Sequence, residues 1–333
     1  MKQILNNSNN IVQEMFEGLL GAYRNKYERV GDLMAFIYKK RRKGKVSIVT
    51  GGGSGHEPTT SGFVGRGLAD AVVCGQIFAS PKANNIYQTA KAVDEGRGIL
   101  FIHGCYPGDN LNFRMAEELC AFEGIKTAHV SVWDDCASAP KEQMNKRRGI
   151  AGAVFVLKIA GAACDMGYDL EEVVRLAEKA RNHVNTIGLA TSSGTFPGEN
   201  HPMFEMDDDV VEYGMGIHGE PGMEQIKMQP ADVLTERIYR ELKKEMELRE
   251  GQELAVLVNG LGATTLLELY TVYYDLEKLL KRDGIFVYDA DVNSYCTSQE
   301  MRGFSISFLQ LDDELKRYYD MPCASPYYSK GLM

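Results

Sequence analysis

The chain has 333 residues, enough for two domains of ordinary size and a buried core. Hydrophobic residues make up 44% and charged residues 25%, the proportions of a soluble globular protein. A formal net charge of −9 argues against a nucleic-acid footprint and against an anionic membrane surface.

In chain order, the opening "MKQILNNSNN" lacks the apolar core of a signal peptide, and no later apolar run is long enough to span a membrane. The basic run Lys39–Lys45, "KKRRKGK", precedes an apolar strand and reads as a solvated connection. "KVSIVTGGGSGHEP" is a β-branched run ending at Thr50 and entering a glycine turn. "ADAVVCGQIFASP" repeats that theme, and "RGILFIHGCYPGDN" repeats it again before the helix of "LNFRMAEELCAFEG". "IKTAHVSVW" is the next strand. "YDLEEVVRLAEKARNHV" is a helix opened by a capping box, with Asp169 three residues before Glu172.

From about residue 186 the texture changes to turns and short strand-like pieces. A long amphipathic helix, "ADVLTERIYRELKKEMELREG", follows. "ELAVLVNGLGATTLLELYTVYYDLEKLLKRDG" then reads strand, turn, helix, with Thr264 and Thr265 where an N-cap is wanted. "IFVYDADVNSYCTSQEMRGFSISFLQLD" gives two more strands. The expected fold class is α/β. It has two α/β domains, the first (1–185) with a largely parallel sheet flanked by helices and the second (186–333) smaller.

Seven scattered cysteines without C-x-x-C spacing fit reduced thiols and a cytoplasmic protein. The six histidines show no paired metal spacing, so no metal site is expected. In a parallel sheet the ligand site gathers at the carboxyl ends of the strands. There the sequence places Gly51–His56, Phe78–Pro81 and Gly104–Asn110, three loops, the first and last glycine-bearing, that make one crevice.

"TGGGSGHEP" has no lysine to reach terminal phosphates and fails the dinucleotide fingerprint at Pro58. It reads either as a tight packing turn or as a small-ligand cradle built from the N–H groups of Gly53, Ser54 and Gly55 with the His56 imidazole. "GCYPGDN" sets Asp109 in a rigid turn, and "GIHGEPG" (216–222) frames His218 with glycines. Imidazole can attack a carbonyl and a carboxylate can accept a hydroxyl proton. The residues alone leave acyl, phosphoryl and carbonyl chemistry open.

"TGGGSGHEP", "FASP", "YPGDNLNF", "KRRGIAGAVFVLKIAGAA", "GMGIHGEPG", "LAVLVNGLGATTLLELY" and "LQLDDELKRYYD" together resemble the dihydroxyacetone kinase family. More narrowly, they are similar to its K-type substrate-binding subunit, in order from about residue 10 to 325. The resemblance implies that His218 bonds the ketose carbonyl carbon as a hemiaminal. It also implies that Asp109 and His56 engage the reacting hydroxyl, with Gly53, Ser54, Gly55 and Ser80 around the substrate. It implies a K-subunit homodimer that binds no cofactor itself, and a separate L-type subunit carrying ADP or ATP with Mg²⁺. The phosphate then comes either from ATP or from a sugar-phosphotransferase relay.

One position departs from the pattern. Many members carry a lysine in "K-N-Y-T-G-D" where this chain has Gly104. "DDCASAP" resembles a branch that lacks this lysine and acts on dihydroxyacetone or erythrulose. The competing reading is a non-catalytic dihydroxyacetone-binding paralogue that co-activates a transcription factor.

Overall fold

The computed structural model describes residues 3–331. The first half runs α1 (Ile11–Ala22), β1 (Tyr27–Arg29), β2 (Ala35–Tyr38), β3 (Ser47–Ser54), β4 (Ala71–Ile77), α2 (Ala83–Val93), β5 (Ile99–Gly104), α3 (Pro107–Phe122) and β6 (Thr127–Val132). Two helices, α4 (Ala153–Met166) and α5 (Leu170–Asn182), lead into β7 (Val184–Ser192), β8 (Val210–Tyr213) and β9 (Glu224–Lys227). The chain continues through α6 (Ala231–Glu245), β10 (Glu253–Gly260), α7 (Leu266–Arg282), β11 (Phe286–Asn293), β12 (Arg302–Leu311) and α8 (Asp313–Tyr319). Among the described residues, no helix is long and apolar enough to cross a membrane.

The chain divides into two compact units that interleave in sequence. Among the described residues, the N-terminal unit holds 3–132, Val154–Ala180 and 315–331. The C-terminal unit holds Trp133–Ala153 and Arg181–Glu314. A single cut near residue 186 therefore omits two exchanged segments. The reason is visible for the last one. Lys158 on α4 is wholly buried and donates from Nζ to the carbonyls of Tyr318 and Met321, at 2.8 and 2.7 Å. Those bonds hold the C-terminal segment to the N-terminal unit, and burial lowers the ammonium to about 8.

In the N-terminal unit a six-stranded sheet runs β1-β2-β4-β3-β5-β6. β4, β3, β5 and β6 are mutually parallel, whereas β1 and β2 add antiparallel at one edge. The central strands are apolar on both faces, as strands covered on both sides must be. Helices α2 and α3 bury Ile86, Ala90, Phe113 and Ala116 against Val49, Val73 and Phe101. Each such large apolar side chain contributes about 1.5–3 kcal/mol on burial.

β3 runs further than the β-branched residues predict. Gly51, Gly52 and Ser54 pair with Val73, Cys74 and Ile77 of β4, so the glycines belong to the strand rather than to a turn. The basic run also differs from a fully solvated connection. Lys45 is buried, with Nζ 2.7 Å from Asp70 Oδ2 and 3.7 Å from Asp165 Oδ1. A buried ammonium needs such partners to offset its lost hydration.

On α4, Gly161 lies against the backbone of Gly67 and Leu68. A Cβ there would sit 2.3 Å from the Gly67 carbonyl oxygen. Gly161→Ala must push two backbones apart, and a loss of about 2–4 kcal/mol is expected in urea unfolding.

The C-terminal unit has its own six-stranded sheet, in the order β11-β10-β12-β7-β8-β9. Only β10 and β11 run parallel; the other neighbours are antiparallel. Helices α6 and α7 bury Leu234, Ile238, Leu269, Val272 and Leu276 against Leu254, Val256, Ile306 and Phe308. The capped start of α7 follows from "GATTLLE": Thr265 accepts from the Glu268 N–H, and Glu268 returns a bond to the Thr265 N–H. At α5, Asp169 accepts from the Glu172 N–H at 3.0 Å, as its capping sequence predicts.

Candidate active site

The unusual loops gather as parallel-sheet topology requires. β3 lies between β4 and β5 with all three running the same way, so their carboxyl ends open on one edge. His56, two residues beyond β3, is 5% exposed and stacks on Phe78 beyond β4, with ring centroids 4.6 Å apart. Phe78 holds a φ of 54°, and Gly53 lies against its backbone because a Cβ there would be 2.7 Å from Phe78 Cα. On the other side, Gly108 approaches Ser80 so closely that a Cβ would be 3.3 Å from the Ser80 Cβ. Gly53, His56, Ser80 and the Gly108–Asp109 step thus lie together at the carboxyl edge of the N-terminal sheet.

Two details differ from the sequence expectation. Asp109 is not in a free turn: Pro107 opens α3 at its first position, and Asp109 sits in the first helical turn, 8% exposed. Proline is suited to that opening because its missing N–H would have no partner there. The helix N-terminus in turn favours a carboxylate. The glycine-loop cradle is also partly committed within the protein. The Gly55 N–H donates to Glu57 Oε2 at 2.9 Å, and Ser54 Oγ donates to the Gly75 carbonyl at 2.8 Å. Among the named cradle members, the His56 ring and Gly53 are the ones positioned at the Phe78 side. Gly104, at the family's lysine position, is the last residue of β5.

His103, one residue earlier, is structural. Its ring stacks on Phe113 at 4.4 Å, and its Nδ1 donates to the Gly104 carbonyl at 2.9 Å. Burial lowers its pKa to about 4, with the His129 and Arg114 charges adding to that and the Gly104 bond opposing it. The folded protein therefore prefers a neutral ring, whereas the unfolded chain protonates near 6.5. The stabilisation is complete above 6.5 and is lost as pH falls toward about 4, a span of roughly 3 kcal/mol. Urea midpoints measured across that window should fall in the parent, and His103→Gln should flatten the slope.

His218 lies in the C-terminal unit, on the loop between β8 and β9. Its Nδ1 is 3.0 Å from Glu220 Oε1, and its own N–H donates to Glu220 Oε2 at 2.9 Å. Burial alone would raise the Glu220 carboxyl, but the bonds and charge of His218 outweigh it and hold the group at about 2. An ionised carboxylate only accepts, so Nδ1 carries the proton and Nε2 carries the lone pair in the neutral ring.

The loop is shaped for this pair. Gly219 adopts a φ of 79°, which a side chain disfavours. Gly216 is fixed by crowding, because a Cβ there would be 2.1 Å from Glu220 Oε2 and 2.5 Å from Arg148 Nη1. Arg148 donates to Asp135 Oδ2 and to the Gly214 carbonyl, both at 2.8 Å. Burial pushes Asp135 up to about 7, with Arg148 opposing and Asp134 adding. Ser298 Oγ donates to the Ile217 carbonyl, anchoring the loop from beyond β11. Glu220, Arg148 and Asp135 were not singled out from the sequence. Glu220 had a local signal, two residues from His218, but Arg148 and Asp135 come from 66 or more residues away. Among the described residues, no group of three His, Cys, Asp or Glu side chains is placed to hold a metal ion.

Residues 17–327 match the Dak1 domain. The chain is 43% identical over 321 residues to the dihydroxyacetone-binding subunit DhaK of PTS-dependent dihydroxyacetone kinase 1 from Listeria innocua, covering 96% of this chain and 97% of that one. It is 38% identical to the L-erythrulose kinase of Pectobacterium atrosepticum, over 100% of this chain and 57% of that protein. Among solved structures, the dihydroxyacetone kinase operon co-activator Dha-DhaQ superposes with a TM-score of 0.90 at 30% identity, covering 95% of this chain and 98% of that one. A domain match over nearly the whole chain and a full-length relative at this identity carry one conclusion: the chain belongs to the Dak1 domain family.

Proposed function

We propose that this chain is the ketose-binding subunit of a dihydroxyacetone kinase, presenting a substrate hydroxyl for phosphoryl transfer. The observation that carries the reading is the His218–Glu220 pair in its glycine-shaped loop. The Nε2 lone pair attacks the ketone carbon, and the carbonyl π pair moves to oxygen, which takes up a proton. The ring leaves this step positively charged, with Glu220 beside it as the counter-charge. Loss of the Nδ1 proton then gives a neutral hemiaminal. Glycerol has no carbonyl and is rejected by the chemistry rather than by shape.

Asp109 and His56 serve the hydroxyl to be phosphorylated. Asp109 accepts its proton, and His56, fixed by its stack on Phe78, helps hold it. A separate L-type subunit would hold the nucleotide with Mg²⁺, and the phosphoryl group would come from ATP or from ADP recharged by a phosphotransferase relay. Positioning and charge stabilisation dominate such transfers. We further propose a homodimer and a substrate range that includes erythrulose. That range is supported by the 38% identity to an L-erythrulose kinase.

The test mixes the chain with an L-type partner and either ATP or a phosphotransferase relay. Phosphate transfer is then followed to dihydroxyacetone, each erythrulose enantiomer and glycerol. Transfer to a ketose but not to glycerol supports the reading. A second reading, a ligand sensor without turnover, draws on Gly104 and on the likeness to a co-activator. It predicts ketose binding with no transfer from any donor. The buried Asp109 at its helix N-terminus favours the kinase, because a sensor has no use for a base.

A further inference from the structure

The basic run between β2 and β3 has work that the ketose chemistry leaves unassigned. Together with Arg66 it lines a cavity of about 280 Å³ in the N-terminal unit. The lining carries five cations, Lys40, Arg41, Arg42, Lys45 and Arg66, against two carboxylates, Asp70 and Asp165. This local positive excess occurs in a chain whose net charge is −9.

The two carboxylates are spoken for. Asp70 accepts from Lys45 Nζ at 2.7 Å and from the Ile48 N–H at 2.9 Å. Asp165 lies 3.7 Å from the same ammonium, and its carbonyl accepts from Arg42. Three cations are left over. Among the described residues, Lys40 and Arg66 have no carboxylate within ion-pair distance, and Arg41 reaches only Glu95, at 3.7 Å. Arg41 Nε is buried and donates to no acceptor. A buried guanidinium donor without an acceptor is costly, and native proteins seldom leave one so.

We propose that this cavity is a binding site for a phosphate group, separate from the ketose crevice. Arg41 supplies the guanidinium fork, whose geometry matches phosphate oxygens. Arg66 and Lys40 supply further charge, and the Lys45–Asp70 pair forms a fixed floor. The volume suits inorganic phosphate or a small phosphomonoester. The proposal does not depend on the kinase reading, since none of these residues enters the ketose chemistry.

The experiment titrates the full chain, at constant ionic strength in chloride, with inorganic phosphate and separately with glycerol 3-phosphate. Calorimetry supplies the readout. Saturable binding at about 1 mM or tighter is expected for at least one of them. Tighter binding of glycerol 3-phosphate identifies a phosphomonoester site, and equal binding identifies free phosphate. Arg41→Gln and Arg66→Gln should each weaken binding roughly 10-fold or more. Lys281→Gln, a charge removed from the exposed face of α7, should leave it unchanged. Arg66 is an exposed side chain, so its variant keeps the test interpretable if Arg41→Gln fails to fold. No saturable binding below about 20 mM overturns the proposal. So does binding that both arginine variants retain at parental affinity.

Discussion

Asp109→Asn is expected to bind ketose as the parent does while transferring phosphate roughly 10²–10⁴-fold more slowly, the usual contribution of a positioned base. Asparagine keeps the size and most hydrogen bonding of the side chain but cannot take up the hydroxyl proton. The structural cost is small. Asp109 sits in the first turn of α3, where loss of a charge favoured by the helix N-terminus costs about 0.3–1 kcal/mol. A modest fall in unfolding temperature therefore accompanies a large fall in turnover, and the mismatch separates base from scaffold. Ketose binding is expected to be unchanged because the proposed carbonyl addition is assigned to His218, which lies in the other unit. Mass measurement of the ketose adduct and single-turnover transfer with an L-type partner supply the two readouts. Transfer at the parental rate removes the general-base role from Asp109.

The N-terminal sheet was legible because its evidence is local. Each parallel strand is a short apolar run followed by a loop, glycine-bearing after β3 and β5, and parallel order alone puts those loops on one edge. Where local reading failed, a distant partner decided the outcome. The strand β3 extends through Gly51 and Gly52 because β4 supplies pairing partners there, which no propensity scale registers. Pro107 looked like part of a turn, yet proline at the first helical position starts α3 and carries Asp109 into its first turn. Lys45 belongs to a run of seven mostly basic residues, but Asp70, 25 residues on, draws it inside. The interleaving of the two units in sequence has the same cause. The segment 133–153 joins the C-terminal unit through Asp134, which accepts from Thr186 Oγ1 at 2.6 Å and from the Ile150 and Gly152 N–H groups. Around His218 the glycines announced a shaped loop, but the group they make room for, Arg148 beside Glu220, appears only in three dimensions.

Glu220→Gln should weaken ketose adduct formation by roughly 10–100-fold, the scale of losing one charge-assisted partner of a reacting group. Glutamine has one acceptor oxygen where Glu220 uses two, so it can still accept from Nδ1, keeping the ring oriented and the lone pair on Nε2, but its NH2 group cannot accept from the His218 N–H. What disappears is that loop bond and the negative charge beside an imidazole that becomes positive as the bond to carbon forms. Because the parental carboxyl titrates at about 2, Glu220 is ionised throughout the working range and puts no inflection of its own into adduct formation between pH 5 and 9. The same depression has a sign in stability. A carboxyl near 2 when folded and near 4.5 when unfolded contributes fully above 4.5 and loses that contribution as pH falls toward 2. Acid unfolding of Glu220→Gln should therefore be less steep across that interval. Gly216→Ala supplies an independent route to the same outcome, since it removes no functional group. Its Cβ, 2.1 Å from Oε2, must displace the carboxylate from His218, and adduct formation should fall as it does in Glu220→Gln. Parental adduct affinity in both variants would mean that His218 reacts without its partner, and the carboxylate would then serve only to shape the loop.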